Sequence, residues 1–261
     1  MALTSRMRTV SNWSAFLISD GPAGFLLSWV AGFVDTSAFI ILFGIFTAHV
    51  TGNIALAGAS FVASDQGSTI TRLAVLPVFV VSVALTSLLA RYARSRQWPV
   101  FAVLLTVEAV ALMIFLLIGT RLSPSLLVDV QEDLIFPIAM AGVVAMAVQN
   151  ALMKEAKGVF KSYIPTTVMT GNTTQLTIDI VQYLVAQVTH SGQETNPEAE
   201  EALERMSRVF PVILGFALGG LAAVYFVLES ETWWSLVIPL IMILVLAIAA
   251  YTEHYRMSTP S

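Results

Sequence analysis

The chain of 261 residues has no cysteine, only three histidines, and 11% charged residues. Each scarcity removes a class of function. Without thiols there is no disulfide, no thiolate metal site and no cysteine nucleophile. His49, His190 and His254 are too far apart for a metal motif such as His-x-x-x-His, so no metal or other cofactor is expected. An ordinary soluble domain carries about 25% charged residues, more than twice the fraction present here. The net charge of −4, with no block of Lys or Arg, gives a phosphate backbone nothing to follow, and nucleic acid is not an expected partner. No nucleophile–base pair is recognisable either, so the reading is not an enzyme.

What the chain has in excess is apolar surface, with 57% hydrophobic residues. Six stretches, 22–46, 73–89, 99–119, 134–153, 210–228 and 233–251, approach the roughly 20 apolar residues that a bilayer crossing requires. Hydrocarbon offers no partner to backbone groups, and the period-two alternation of a membrane barrel is missing, so these spans are expected to be helices. Two shorter pieces, 54–63 and 176–188, would cover about half of a ~30 Å core at ~1.5 Å per residue. The segment before the first span lacks a cleavable signal, and Trp13, Phe16, Leu17 and Ile18 suit an interfacial stretch.

The distribution of Lys and Arg orients the chain. With six spans and both termini in the cytoplasm, the inner segments hold Arg6, Arg8, Arg91, Arg94, Arg96, Lys154, Lys157, Lys161, Arg205, Arg208 and Arg256. Only Arg72 and Arg121 fall outside, where the loops are acidic (Asp129, Glu132, Asp133, Glu229, Glu231). Letting the short pieces cross would move Arg91, Arg94 and Arg96 outside. The expected organisation is a cytoplasmic segment 1–21, one membrane domain 22–252 and a cytoplasmic tail 253–261, with the bilayer as the partner. Homo-oligomerisation is left open.

A repeat runs through the domain. His49-Val50-Thr51-Gly52-Asn53 follows the first span and Val168-Met169-Thr170-Gly171-Asn172 follows the fourth. Each Thr-Gly-Asn triplet leads into a short helix and then to a span opening with Pro-Val, at Pro77 and Pro211, while Ala31-Gly32 and Ala141-Gly142 stand upstream. Four landmarks in the same order define repeats 22–119 and 134–252. Three spans per repeat is an odd number, so the second repeat enters the membrane inverted. The expected fold is an all-α polytopic helix bundle of two inverted three-helix repeats, each with an additional short helix after a Thr-Gly-Asn turn. Interrupted elements at matching places of inverted halves point to a transporter's binding site.

The segments Ala31-Gly32-Phe33-Val34-Asp35, His49 to Asn53, Val148-Gln149-Asn150-Ala151 and Pro165 to Asn172 resemble the hallmark segments of the YoaK family. These are bacterial inner-membrane proteins without an established activity. The resemblance covers about residues 21–251 and implies a multi-pass protein of the bacterial cytoplasmic membrane. It implies no chemistry.

Candidate functional residues come from polarity at membrane depth. Asp35 and Glu108 sit near the middle of their spans, where an acid costs about 2.5–3.5 kcal/mol on translocon scales and is a functional hypothesis by default. A structural hydrogen bond between helices is the competing reading. In each triplet, Thr51-Gly52-Asn53 and Thr170-Gly171-Asn172, glycine frees the backbone, asparagine can cap the next helix, and first-turn N–H groups suit a polar ligand. The bland alternative is a plain helix junction. His49 is a candidate proton-transfer group, and Gln149 and Asn150 align loosely with the Asp35 region. Gln175, Asp179 and Gln182 form a stripe that lines a vestibule or faces headgroups. Gly215, Gly219 and Gly220, with Ala217 and Ala222, suit tight helix packing, and Trp233 and Trp234 suit the membrane interface. The leading functional reading is a small secondary transporter or permease for a small polar solute or ion. The alternative is a non-transporting membrane scaffold or sensor.

Overall fold

A computed structural model describes residues 13–62, 66–123, 132–161, 164–189, 197–230 and 232–258. Arg6, Arg8, Asp129, His190 and Glu231 lie outside the described residues. A helical turn at 13–17 precedes α1 (Asp20–Ile41), α2 (Val50–Ser60), α3 (Gln66–Ser95), α4 (Val100–Leu122) and α5 (Glu132–Glu155). The second half contains α6 (Met169–Thr189), α7 (Pro197–Ser230), a 3-10 turn (Trp233–Leu236) and α8 (Val237–Ser258). Among the described residues no β-strand forms. Six helices, α1, α3, α4, α5, α7 and α8 with its preceding 3-10 turn, are long and apolar enough to cross a bilayer. The protein is an all-α, multi-pass membrane protein.

Three boundaries differ from the sequence reading. The first span stops at Ile41 rather than 46, because Phe43 (φ 53°) and Gly44 (φ 80°) leave helical geometry while the Gly44 N–H closes back on Phe39 O at 2.9 Å. Residues 42–46 are apolar, so hydropathy did not mark the break. The second interrupted helix, α6, begins at Met169 and runs for 21 residues, against 11 for α2. Its first turns are threonine-rich, which hid them from a search for apolar runs. Pro77 and Pro211 lie inside α3 and α7 rather than opening them. The charged stretch from Glu198 to Arg208 forms the start of α7 and runs without a break into its apolar part.

Helix pairing follows a two-fold pattern. α1 packs along α7 and α5 along α3; α2 lies on α3 and α6 on α7; α4 contacts both α5 and α8, and α8 reaches α1. Exchanging α1–α4 with α5–α8 preserves these pairings. The Ala-Gly landmarks are not equivalent in packing, however. Gly32 meets the α7 backbone, whereas Gly142 meets Thr47 and Phe115.

The α1–α7 contact has the closest approach. A Cβ on Gly32 would stand 2.2 Å from Phe216 O, on Gly215 2.3 Å from Phe25 O, and on Gly219 2.1 Å from Trp29 O. Two helices meet here backbone to backbone, as small residues allow in membranes. Ser28 lies in the same stripe and directs its hydroxyl to Val212 O at 2.6 Å and Thr166 O at 3.1 Å. The small-residue face expected on α7 is therefore its contact with α1. Trp233 departs from the interfacial reading: it is 1% exposed, closes over Gly119 and donates its indole N–H to Ser123 O at 2.7 Å, while Trp234 is exposed.

Ion pairs gather where α3 and α5 end and α1 and α7 begin. Arg94 pairs with Glu155 at 2.8 Å, Lys161 with Glu204 at 3.2 Å, and the Lys161 N–H reaches the Asp20 carboxylate. At the same end, Ser14 in the first helical turn donates to Glu253 of α8 at 3.1 Å. The outward faces of α3 (Leu76, Val80, Leu85, Leu88) and α7 (Leu214, Leu218, Leu221, Leu228) remain apolar and exposed, as a surface in contact with lipid chains must be.

Gly32→Ala and Gly219→Ala should each lower the midpoint of thermal unfolding in detergent, with a loss of about 1–3 kcal/mol for forced overpacking. Gly58→Ala, where the added methyl meets nothing within 4 Å, should leave the midpoint unchanged.

Candidate functional site

The break after α1 brings the chain back to the side of its own helix. Asp35, 2% exposed, accepts hydrogen bonds on Oδ1 from Thr47 N (2.7 Å), Ala48 N (2.6 Å) and Thr47 Oγ1 (3.2 Å). Its Oδ2 lies 2.5 Å from His49 Nδ1. A carboxylate in the span is thus solvated by the loop that interrupts the span, which meets the cost of burying it. The His49 side chain is 31% exposed and Asp35 3%, so the imidazole is the accessible end of the pair. Phe46 and Phe216 flank the ring edge-on, and the backbone of Thr167 lies beside it.

Thr167 belongs to the second repeat. There the break after α5 returns the segment Pro165-Thr166-Thr167-Val168 to α5 in the same manner. Gln149, wholly buried, donates through Nε2 to Leu27 O (2.6 Å) and Thr166 Oγ1 (3.1 Å), and Thr167 Oγ1 donates to Asn150 Oδ1 (2.7 Å). Gln149 stands six residues before the end of α5, as Asp35 stands six before the end of α1. The loose alignment of Gln149 and Asn150 with the Asp35 region corresponds to this placement. The two loops meet at His49 and Thr167. Repeat one brings a carboxylate and an imidazole to that junction, and repeat two brings amides and hydroxyls.

The Thr-Gly-Asn triplets have a different role from the expected one. Each forms the first turn of its helix rather than a turn before it, and neither asparagine caps that helix. Asn53 reaches back seven residues, donating to Phe46 O at 2.7 Å and accepting from Phe46 N at 3.0 Å. Asn172 does the same to Pro165 O at 2.7 Å, and proline has no N–H to return. Both asparagines are buried, while Thr51 and Thr170 are exposed. Gly52 lies close under the Phe46 ring, whereas a Cβ on Gly171 would meet only Val168, at an ordinary 3.9 Å. The triplets therefore pin the loops that carry the polar groups.

The stripe on α6 turns toward α7. Asp179, wholly buried, accepts from Arg205 Nε at 2.8 Å and Gln175 Nε2 at 3.0 Å, and Arg205 also reaches Gln182 at 2.9 Å. This replaces both the vestibule and the headgroup reading with a clasp between helices. Its counterpart in repeat one joins Ser60, near the end of α2, to Arg72 of α3 at 2.5 Å, and Arg72 also holds Phe43 O at 3.0 Å. Glu108 is buried on α4, and neither carboxyl oxygen has a hydrogen-bond partner among the described residues. The spacing of acids and motifs located Asp35, His49, Gln149 and the asparagines. It missed Ser28, Thr47, Thr166 and Thr167, although Pro165-Thr166-Thr167 falls within a recognised segment. Ser28 lies inside a span, and the threonines lie where an apolar run or a loop meets a triplet, positions where a hydroxyl does not stand out.

Residues 23–249 match the family described as Protein of unknown function (DUF1275). The chain belongs to this family. It is similar to the UPF0700 transmembrane protein YoaK of Bacillus subtilis (strain 168), at 34% identity over 91 residues, which make up 34% of this chain and 40% of that relative. The match thus spans about two fifths of the relative's length. No solved structure matches the chain. The membership agrees with the resemblance of the hallmark segments, and the protein is an integral membrane protein of a family without an assigned function.

Asn53→Ala should lower thermal stability more than Asn172→Ala, because it removes a donor and an acceptor bond instead of one donor bond; about 1 kcal/mol per bond is the expected scale. Thermal unfolding of the two variants beside wild type measures the difference, and equal losses would contradict the pinning role.

Proposed function

We propose that the protein is a small secondary transporter or permease for a small polar solute or ion, working about the junction of the two interrupted segments. The observation that carries this reading is the buried Asp35 paired with a partly exposed His49, on a loop from one half that touches the corresponding loop of the other. Interrupted helices at matching places, with polar groups facing each other across the repeat junction, are how secondary transporters build a site that can open to either side. In this reading the halves are inverted repeats that rock about His49 and Thr167. Asp35 takes the coupling proton or cation, or a cationic group of the solute, with His49 as the group through which it exchanges with water.

The excess of Lys and Arg at one end, where Arg94, Lys161 and Arg205 lie among their ion pairs, supports placing both termini in the cytoplasm of a bacterium and the chain in its cytoplasmic membrane. The reading is non-enzymatic and uses no cofactor.

A second reading has its own support. Asp35 Oδ1 already accepts three hydrogen bonds and Gln149 Nε2 makes two, a density suited to a scaffold or sensor whose polar groups only hold the helices together. A thermal-shift screen with amino acids, amines, carboxylates and sugars separates the two. The transport reading expects one class to raise the unfolding midpoint of wild type but not of Asp35→Asn or His49→Gln. Uptake of that class into proteoliposomes should then fall at least tenfold in both variants. Full uptake by correctly inserted Asp35→Asn protein would remove the site, and no stabilising solute together with a destabilised Asp35→Asn would favour the scaffold.

A further inference from the structure

Glu108 plays no part in the junction just described, yet it is the other acid in the interior of the spans. Its side chain is fully buried, and both Oε1 and Oε2 are without a partner among the described residues. A second orphan lies on the neighbouring helix. Gln149 spends its Nε2 hydrogens on Leu27 O and Thr166 Oγ1, and its Oε1, also buried, receives no hydrogen bond.

Register puts these orphans face to face. α4 and α5 are consecutive spans that pack together, and the Phe115 ring of α4 comes 3.2 Å from the Cβ position of Gly142 on α5. Glu108 lies seven residues before Phe115, and Gln149 seven residues after Gly142. Seven residues are very nearly two full turns, so each residue keeps the face of its reference contact. In an antiparallel pair the two shifts run the same way along the bundle. Glu108 and Gln149 therefore occupy the same level on facing sides of α4 and α5.

Three acceptor oxygens without a donor cannot stay that way in a medium where an unmatched polar atom is costly. We infer that Glu108 and Gln149 form a buried proton-binding site, in which Glu108 is carried as the neutral acid and donates its O–H to Gln149 Oε1. One proton turns one carboxyl oxygen into a donor, satisfies the amide oxygen and removes the charge, so that only a neutral carbonyl oxygen is left unmatched. A metal cation would require more oxygens than these, and the nearby faces of α4 contribute Leu104, Leu105 and Leu112. The described titratable groups on elements packed against α4 are Arg72, Arg91, Arg94 and Tyr92 of α3, Lys154 and Glu155 of α5, and Tyr251, Glu253, His254, Tyr255 and Arg256 of α8. All stand toward helix ends, away from the Glu108 level. Through Gln149 the site touches Thr166, whose chain neighbour Thr167 lies beside His49, the partner of Asp35.

The inference concerns the state of Glu108 and holds whether or not a solute is transported. Infrared difference spectroscopy of the full chain in liposomes at neutral pH, wild type against Glu108→Gln, should show a protonated-carboxyl C=O band that the substitution removes. Gln149→Leu, which deletes the acceptor, should shift that band to higher frequency. Glu108→Gln should keep the wild-type unfolding midpoint, because its amide hydrogens supply the same donor. Absence of the band, or a band that survives Glu108→Gln or ignores Gln149→Leu, overturns the inference. So does stabilisation of wild type, but not of Glu108→Gln, by sodium over choline at equal ionic strength, which would assign the site to a metal cation.

Discussion

The fold depends on two helices, α1 and α7, approaching until their backbones touch. In a bilayer there is little hydrophobic gain from bringing helices together, because lipid chains solvate leucine as well as another helix does; close van der Waals packing has to do it. Gly32, Gly215 and Gly219 remove the side chains that would hold the helices apart. This contact joins the first element of one repeat to the third of the other, and α5 with α3 completes the exchange. With the repeats locked along these lines, the loops that interrupt them after α1 and α5 have nowhere to go but the centre.

That forced convergence explains the chemistry of the interior. A chain that leaves helical geometry inside a membrane exposes N–H groups that hydrocarbon cannot satisfy. In repeat one the freed amides of Thr47 and Ala48 find Asp35; in repeat two the returning segment meets Gln149, Asn150 and Ser28. The buried polar residues and the broken helices are thus two sides of one requirement. A carboxylate tolerates the middle of a span because the backbone beside it is broken, and the break is tolerated because the carboxylate is there.

The sequence revealed much of this and concealed the rest for identifiable reasons. All six spans were legible, since length and apolarity are direct consequences of the solvent. Asp35 and His49 were also visible as polar residues in or beside a span, but their pairing was not legible: they are separated by apolar residues 42–46, which read as more helix and are in fact the turn that brings the two together. The extent of α6 was hidden by its threonines. Asp179 and Arg205 were visible as charges, yet a basic residue near an acidic loop reads as surface, and only the packing of α6 on α7 makes the pair internal. Thr47, Thr166 and Thr167 carried no compositional signal, because a hydroxyl beside a membrane span is common and its partner lies elsewhere in the chain.

The asparagine of each triplet reaches the residue seven positions behind it, and at one of those positions the residue is proline. In the first repeat one residue, Phe46, is held by both its N–H and its C=O, so the peptide groups on either side of it are tied to the same side chain. In the second, Pro165 offers Asn172 only its carbonyl, and the loop is held besides through Thr166 and Thr167, which bond to Gln149, Ser28 and Asn150. The two halves share a blueprint but differ mechanically. The loop carrying the acid and imidazole is pinned through its backbone, and the loop facing it is pinned largely through its hydroxyls.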